Sequence, residues 1–496
     1  MPMPRLLSRL AAAALLAATL ASGGRLAAQG GAYPFLLDAA RVRALAEAWN
    51  GGLAAVPGEV LVKFRQDVPP AGAARALATL RAPVGDGDAR WIGDGLLLVR
   101  SEAEPDPAAA AAALARQPEV AWAQPNYWRP LLATPDDPAY HRQWNLELIG
   151  MPRAWDLNAG AASDVTVAVI DTGFTATTVT PVFSLWTGGA FEAVGIPFGA
   201  NPDLPSARVA RGRDFIFWDG PVLDMVGHGT HVAGTALQET NNGVGLAGVA
   251  YRATLMPLKA CLGYWEIQIL TSALGIPGFV SPFVTGGCSD AAIVEAIRYA
   301  ADQGAEVINI SLGSPLPAPA IREALVYAVG RGSFVAVAAG NGFDAGNPVE
   351  YPAAYAPDID GVVAVGAVGP SRARAFYSAT GRHVELVAPG GDNRAAGTAG
   401  LVYQTGLRTS DADPFTVIRP RFDRYMEVPQ QGTSMAAPHV AGAAALLAAQ
   451  GITSPAAIEA ALKAFATDLG PAGRDDEHGH GLIDPRRALR GLGIAR

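Results

Sequence analysis

The chain of 496 residues has few of the features that indicate nucleic-acid or membrane partners. It has no long basic run, its net charge is -8 and its isoelectric point lies near 5.5. Nucleic acid and anionic lipid surfaces are therefore not expected partners. It also has no internal repeat and no low-complexity tail. Because half of its residues are hydrophobic and glycine and proline are abundant, we expect a globular, loop-rich protein.

The only marked apolar run near the N-terminus, residues 10–21, is too short to span a bilayer. Arg5 and Arg9 precede it, and small residues follow it to Ala28. This order is typical of a secretory signal, so we predict a signal peptide at residues 1–28 and export to the periplasm or the medium. A membrane anchor is the alternative, but no lipidation cysteine follows the run.

Cysteine is also scarce, with only Cys261 and Cys288 in the chain. In an oxidising compartment, a disulfide that closes the loop between them is the simplest interpretation. Metal ligation is a poor alternative because no histidine lies in that loop. A free reactive thiol is the remaining alternative.

From about residue 140 to 490, short apolar runs alternate with helical stretches. The apolar runs are residues 165–170, 255–258, 307–310, 334–338 and 362–365; the helical stretches are 291–303, 320–330 and 441–449. This alternation predicts an α/β fold with a doubly wound parallel sheet, in which sites collect at the carboxyl ends of strands. Three long stretches, 175–202, 262–287 and 393–430, interrupt the pattern and are expected to be functional or independently packed.

Residues from about 57 to 128 have a different character. They predict strands at 60–64, 96–99 and 120–123 and a helix at 107–116, which together make a small α+β unit. Pro130, Pro135 and Pro138 then mark an extended linker.

Ser434 lies in an unusual setting, after the small residues Gly432 and Thr433 and before a predicted helix at 440–449. A serine hydroxyl is a weak nucleophile without a base beside it. A helix N-terminus offers N–H groups where an oxyanion develops. The segment therefore predicts a hydrolase if a histidine and a carboxylate accompany it.

Asp171 and His228 are the candidate partners. Asp171 follows the predicted strand at 165–170, and His228 lies between two glycines. Asp171 could instead be a turn residue, or part of an aspartic protease, although the chain has no second Asp-Thr-Gly. The pair His228 and His231 could suggest a metal site, but the spacing differs from the zinc helix and no third ligand is evident.

The segments 169–173, 228–234 and 432–442 resemble the three signature motifs of the subtilisin-like serine proteases, in that family's order Asp, His, Ser. The resemblance covers about residues 135–490. It implies a secreted serine endopeptidase that cleaves polypeptides through an acyl-enzyme, acts as a monomer and needs no cofactor for catalysis. A non-catalytic binding protein with this fold is the alternative.

The resemblance also assigns roles to single residues. Asp171 would orient His228, which would take the proton of Ser434, and Asn341 would donate to the oxyanion. Asn341 could otherwise be a turn residue. The walls of the primary pocket would be formed by Ser311, Leu312, Gly313, Ala338 and Gly340, with the substrate added as a strand. The floor of that pocket cannot be predicted, because 342–351 differs from well-known members. The loop between the cysteines could cap the groove or be surface decoration.

A structural calcium ion is a further implication, because residues 240–246 resemble the family's calcium loop. The ligands would be Asp137, Asp203, Thr240, Asn242, Val244 and Leu246. A tight Asn-Gly turn without metal is the alternative.

Residues 57–128 resemble the family's inhibitory pro-segment. We therefore predict that this segment assists folding, blocks the active site and is removed by cleavage in a linker at residues 129–136, ahead of a catalytic domain at residues 137–490. A permanent accessory domain is the alternative.

Overall fold

The computed structural model describes most of the chain from residue 55 onward. The described ranges are residues 55–66, 68–80, 89–93, 95–100, 106–127, 134–186, 189–217, 220–275, 286–408 and 420–491. The predicted signal peptide at 1–28 and most of the predicted linker at 129–136 lie outside them. Within the described residues, no helix has the length and apolarity needed to cross a membrane. The chain forms two compact units, which divide after Pro130.

The first unit is a four-stranded antiparallel sheet with two helices. Its elements are β1 Ala55–Phe64, α1 Pro70–Leu77, β2 Ala89–Gly93, β3 Leu96–Arg100, α2 Pro107–Ala115 and β4 Val120–Tyr127, with strand order β2-β3-β1-β4. Alternate residues of β1, such as Val60 and Val62, are buried against Leu114 of α2. The predicted α+β unit is confirmed.

Two strands of this unit are longer than the sequence predicts. β1 passes through Pro57 and Gly58, with a shift of pairing register between Ala55 and Val60, where a turn was expected. β4 continues through Pro125, whose missing N–H is tolerated beside such an irregularity. Strand β2 and helix α1 were not predicted.

The second unit contains a parallel sheet of seven strands in the order β15-β14-β13-β12-β5-β9-β8. These strands are β5 Thr166–Asp171, β8 Arg213–Asp214, β9 Thr254–Lys259, β12 Val307–Ile310, β13 Phe334–Ala338, β14 Val362–Val368 and β15 Leu386–Pro389. All adjacent pairs are parallel. The predicted α/β fold with a doubly wound sheet is confirmed, although β8 and β15 were not predicted.

Helices cover both faces of this sheet. The helices described in this unit are α3 Trp144–Leu148, α4 Met151–Trp155, α5 His228–Leu237, α6 Tyr264–Ala273, α7 Asp290–Asp302, α8 Pro319–Gly330, α9 Asn393–Ala396, α10 Thr433–Ala449, α11 Pro455–Phe465 and α12 Pro485–Gly491. Along β13, Val335 and Val337 pack in the core with α7 and α8, while Phe334 and Ala336 pack in the core with α5 and α10. Because both faces are covered, strands β13, β14 and β15 carry no polar side chain.

The three long stretches contain elements of their own. The first holds the hairpin β6 Val182–Trp186 and β7 Phe191–Gly195, and the third holds the hairpin β16 Val402–Leu407 and β17 Tyr425–Gln430. The second holds α6 and the paired strands β10 Cys261–Gly263 and β11 Gly286–Cys288. A disulfide joins Cys261 to Cys288, as the sequence predicts.

Helix α10 begins earlier than the sequence predicts. It starts at Thr433 and includes Pro438, whereas the expected helix began at Val440. Proline in a helix interior lacks one N–H donor and ordinarily weakens the helix there. The contact that replaces this donor lies in the candidate active site.

Candidate active site

Asp171 and His228 meet at the carboxyl edge of the parallel sheet. Asp171 is the last residue of β5 and is buried, and His228 is the first residue of α5. The Nδ1 of His228 lies 2.7 Å from Oδ1 of Asp171, and the N–H of Thr172 donates to the same oxygen at 2.7 Å. Because a carboxylate accepts, Nδ1 carries the proton and Nε2 is left as the basic atom.

The surroundings of His228 have opposing effects on its pKa. Burial disfavours the charged imidazolium, but the charge and hydrogen bond of Asp171 outweigh burial, so the pKa of His228 is raised above its ordinary value. Its side chain is still 30% exposed, which leaves it accessible from solvent.

Asp224 organises the turn that leads into α5. This buried carboxylate accepts from the N–H groups of Val226 and Gly227 at 2.9 and 2.8 Å, and from the N–H and hydroxyl of Thr230 at 2.9 and 2.6 Å. The hydroxyl of Thr172 also donates to it, at 3.0 Å. Asp224 therefore links the chain after Asp171 to the start of the His228 helix. We did not identify it from the sequence, where it is one Asp four residues before the histidine.

Gly229 allows α5 to approach the end of β5 closely. A Cβ atom built on Gly229 would lie 2.4 Å from the carbonyl oxygen of Gly173, closer than any side chain tolerates. The N–H of Gly229 donates to the Thr172 hydroxyl at 2.8 Å. The glycine beside His228 is thus required by packing.

Ser434 lies in the first turn of α10, where backbone N–H groups have no partner within the helix. Its hydroxyl donates to the carbonyl oxygen of Ser311 at 3.2 Å. Among the described residues, no hydrogen bond joins Ser434 to His228. Such contacts are often long in the absence of substrate and tighten when substrate binds.

Ser311 supplies the hydrogen bond that Pro438 cannot make. In a regular helix the N–H of residue 438 would donate to the carbonyl of Ser434, four residues earlier. Pro438 has no N–H, and the hydroxyl of Ser311 donates to that carbonyl instead, at 2.9 Å. Ser311 and Ser434 are therefore linked by two hydrogen bonds.

Asn341 follows β13 with its amide group oriented by Thr433. The Oδ1 of Asn341 accepts from the N–H and the hydroxyl of Thr433 at 2.8 and 3.0 Å. Its Nδ2 is therefore the end left to donate elsewhere, beside Gly432 and Ser434. This arrangement suits an oxyanion donor.

A groove of about 310 Å³ runs from Asp171 and His228 to the disulfide. The groove is lined by Ser311, Leu312 and Gly313, three of the five residues predicted to form pocket walls, and also by both cysteines and the glycines of β11. The other two, Ala338 and Gly340, are buried at the end of β13 and do not line it.

Four of the six predicted calcium ligands form a hydrogen-bonded cluster. Asp203 is fully buried and accepts from the Nδ2 of Asn242 at 2.8 Å and the N–H of Leu246 at 2.9 Å, and Asn242 Oδ1 accepts from the N–H of Val244 at 2.8 Å. Burial raises the pKa of Asp203 to about 7, and the charge of nearby Asp137 contributes.

The other two predicted ligands lie at the same loop. Thr240 is buried, and its hydroxyl accepts from the N–H of Gly248 at 3.3 Å. Asp137 accepts from the N–H of Asn241 at 3.0 Å, and its second oxygen is buried and has no hydrogen-bond partner among the described residues. Two such carboxylates beside backbone carbonyls are a donor set that suits a hard cation. Within the described ranges, no cluster of three or more His, Cys, Asp or Glu side chains could hold a metal, so such a cation would depend on carbonyl oxygens.

His231 does not share a site with His228. Its Nε2 lies 3.1 Å from the carbonyl oxygens of Val402 and Val428, to which it donates. Burial lowers its pKa to about 3, so the ring is neutral. The metal interpretation of the His-Gly-Thr-His segment therefore has no support in the geometry.

Comparison with known proteins gives two family matches. A model described as the subtilase family matches residues 162–481, and one described as the fervidolysin N-terminal prodomain matches residues 44–126. The chain is 34% identical to a thermophilic serine proteinase of Bacillus sp. (strain AK1), over 80% of this chain and 79% of that protein. It is 31% identical to thermitase of Thermoactinomyces vulgaris, over 68% of this chain and 94% of that protein.

Two solved structures extend the comparison. A protease from Pseudoalteromonas arctica is 29% identical and superposes with a TM-score of 0.54, covering 73% of this chain and all of that one. Fervidolysin from Fervidobacterium pennivorans is 22% identical, with a TM-score of 0.53, and covers 88% of this chain and 61% of that one. The second comparison supports the fold alone.

Proposed function

Because this chain belongs to the subtilase family of serine proteinases and carries an N-terminal prodomain, we propose that it is a secreted endopeptidase, made as a zymogen, whose catalytic triad is Asp171, His228 and Ser434. The observation that carries the proposal is the 2.7 Å hydrogen bond between His228 Nδ1 and Asp171 Oδ1. It leaves the basic Nε2 of a partly exposed imidazole available to the serine.

The first chemical step transfers a proton and forms a bond. His228 Nε2 takes the proton of the Ser434 hydroxyl as the serine oxygen attacks the peptide carbonyl. To do so, the hydroxyl exchanges its present bond to the Ser311 carbonyl for one to the histidine. Asp171 stabilises the imidazolium that forms.

The tetrahedral oxyanion is stabilised by two donors, Asn341 Nδ2 and the N–H of Ser434. The contacts that Thr433 makes with Asn341 Oδ1 support this role, because they hold the amide in one orientation before substrate arrives. Such a donor contributes about 3–4 kcal/mol to transition-state stabilisation. The imidazolium then protonates the leaving amine, and water hydrolyses the acyl-enzyme.

The substrate binds as an added strand along Ser311, Leu312 and Gly313, with Ala338 and Gly340 as the opposite wall of the primary pocket. The position of the first three residues on the groove supports this assignment. The pairing of β10 with β11, closed by the disulfide, forms the distal side of the groove. The disulfide also fits an exported protein.

The N-terminal prodomain acts as an intramolecular inhibitor at residues 57–128. It is removed by cleavage within residues 129–136, which leaves a catalytic domain at residues 137–490. The prodomain family match over residues 44–126 supports this division. A signal peptide at residues 1–28 directs export.

The carboxylates of Asp137 and Asp203, the side chain of Asn242 and carbonyls of the 240–246 loop would hold a structural calcium ion. The oxygen of Asp137 that has no partner among the described residues supports this site. An ion bound there would tie the loop to both carboxylates.

Labelling with a fluorophosphonate probe tests the catalytic assignment. The processed enzyme should take up about one equivalent of probe, with the adduct on Ser434, and heat-denatured enzyme should take up none. Mass spectrometry of the labelled peptide identifies the residue. Folded, processed protein without an adduct on Ser434 would instead indicate a binding protein with a protease fold.

A further inference from the structure

The carboxyl group of Glu350 lies between Gly313 and Gly340, which belong to the two proposed walls of the primary pocket. A Cβ atom built on Gly340 would lie 2.6 Å from Cδ of Glu350, and one built on Gly313 would lie 2.7 Å from its Oε2. Side chains do not approach this closely, so a Cβ atom at either position would displace the carboxyl group. The carboxyl group thus occupies the slot between the two backbone segments.

This slot adjoins the groups that react. Gly340 directly precedes Asn341, and its N–H donates to the Thr433 hydroxyl at 3.1 Å. Gly313 lies two residues after Ser311, which exchanges two hydrogen bonds with Ser434. The residue whose carbonyl Ser434 attacks therefore directs its side chain toward Glu350 when the substrate lies along this segment.

Glu350 has no cationic partner among the described residues. Within the described residues, the one hydrogen bond to its carboxyl group comes from the backbone N–H of Asn341, 3.3 Å from Oε1. Burial raises the pKa of Glu350, and the N–H of Asn341 partly opposes that effect. A half-buried carboxylate without a counter-ion is stabilised most by a charged donor, and a substrate can supply one.

The backbone beside Glu350 is fixed next to the same wall. The N–H of Tyr351 donates to the carbonyl of Ser314 at 2.7 Å, and the N–H of Ser314 donates to the carbonyl of Tyr351 at 3.0 Å. Ser314 directly follows Gly313, and Tyr351 directly follows Glu350. The paired backbone is therefore adjacent in sequence to both residues. These two hydrogen bonds therefore fix the position of the backbone next to the Glu350 carboxylate.

We propose that Glu350 makes the enzyme select Lys or Arg at the residue that contributes the carbonyl of the cleaved bond. The inference rests on the proposed function, because it assumes that Ser434 attacks substrate bound along residues 311–313. Two other roles for Glu350 are distinguishable. One is that Glu350 serves only to accept the N–H of Asn341. The other is that it fills the slot, so that only substrates with a small side chain at the cleaved residue bind.

A series of peptide anilides that differ only at the cleaved residue tests the proposal. The processed wild-type enzyme should give a higher kcat/KM with Lys and Arg than with Ala, Leu or Glu. In Glu350→Gln, kcat/KM for Lys and Arg should fall roughly 10- to 100-fold, as expected for loss of a charged hydrogen bond, while the value for Ala stays within about threefold. Glu350→Asp should retain more of the basic preference than Glu350→Gln.

Asp360→Asn is the matched control, because it removes an exposed carboxylate ten residues along and should leave every ratio unchanged. Each variant is also titrated with the fluorophosphonate probe. If Glu350→Gln labels normally but keeps the wild-type ratio of kcat/KM between Lys and Ala substrates, the proposed role of Glu350 alone is overturned. A wild-type enzyme that prefers Ala would overturn it as well. A processed wild-type enzyme that neither labels nor cleaves would overturn the proposed function as well.

Discussion

At the scale of single residues, the candidate site depends on side chains that make a missing hydrogen bond or that orient a neighbouring side chain. Ser311 supplies the donor that Pro438 lacks, and Thr433 fixes the amide of Asn341 by occupying its oxygen. Neither contact changes the chemistry of the triad. Both determine the positions of Ser434 and Asn341 before substrate binds. Such preorganisation of donors supplies most of the rate acceleration in many enzymes.

The hydrogen bond between Asp171 and His228 gives a pH prediction. His228 must be neutral to accept the serine proton, so activity is lost as pH falls through its pKa. Because Asp171 raises that pKa, the acid limb of kcat/KM for the wild type should lie above pH 6.5. In Asp171→Asn burial remains but the charge is gone, so the limb should move to lower pH and kcat should fall about 10⁴-fold.

Initial rates on one anilide substrate between pH 5 and 9 measure both effects. Asp164→Asn, which alters an exposed carboxylate just before β5, should keep the wild-type profile. An unmoved acid limb in Asp171→Asn would show that a group other than His228 controls the rate.

At the scale of elements, regular strands and helices carry the proposed triad, whereas loops carry the features that general rules for the fold do not predict. Asp171 ends a buried parallel strand and His228 begins a helix, as general rules for such sheets suggest. A disulfide joins the paired strands β10 and β11. The 240–246 loop is held by hydrogen bonds to buried carboxylates.

Calcium should stabilise the element formed by the 240–246 loop and its two carboxylates. Binding to the folded state alone adds about 2.7 kcal/mol when the free ion is at 100 times its dissociation constant. Calcium should therefore raise the unfolding temperature of the wild type, and Asp137→Asn should lose most of that increase. The measurement is thermal unfolding of enzyme inactivated by a fluorophosphonate, with calcium or with a chelator, so that self-digestion does not contribute.

Asp136→Asn provides the comparison, because Asp136 is the exposed neighbour of buried Asp137. It should respond to calcium like the wild type. Equal responses in all three proteins, or none in the wild type, would contradict the proposed site.

At the scale of the whole molecule, two units of different architecture are joined by residues that include the predicted maturation linker. The small antiparallel unit has its own core around β1 and α2, and the parallel sheet has separate cores on its two faces. Independent cores are what a removable segment requires, because the chain that remains must keep its own packing.

Removal of the first unit should depend on Ser434. In the wild type, cleavage within residues 129–136 should release the prodomain, whereas Ser434→Ala should retain it because the chain can no longer form the acyl-enzyme. Ser206→Ala, at an exposed serine, should mature normally. Mass spectrometry of the N-terminus of each purified protein reports the outcome. Equal maturation of Ser434→Ala in pure preparations would mean that another protease performs the step.

Much of this protein could be predicted from local pattern. The apolar runs of β12 and β13 are found where expected, to the residue, because strands buried on both faces are largely apolar, and Asn309 in β12 is a polar exception. Helix α10 was predicted seven residues too late, since Pro438 suggests a break unless its partner Ser311 is known. Asp224 was missed because a single Asp in a turn has no local signature.

By itself, the sequence determined the fold class, the order of the candidate triad and the resemblance to subtilases, because these depend on short contiguous motifs and on the period of burial. Only the tertiary structure decided what surrounds them. Gly313, Gly340 and Glu350 lie 10 to 37 residues apart, and although the resemblance places the two glycines on opposite walls of one pocket, nothing in the sequence indicates that Glu350 lies between them. The contents of the pocket depend on how loops from different strands pack against each other, so the residue inferred here to select the substrate emerges only in three dimensions.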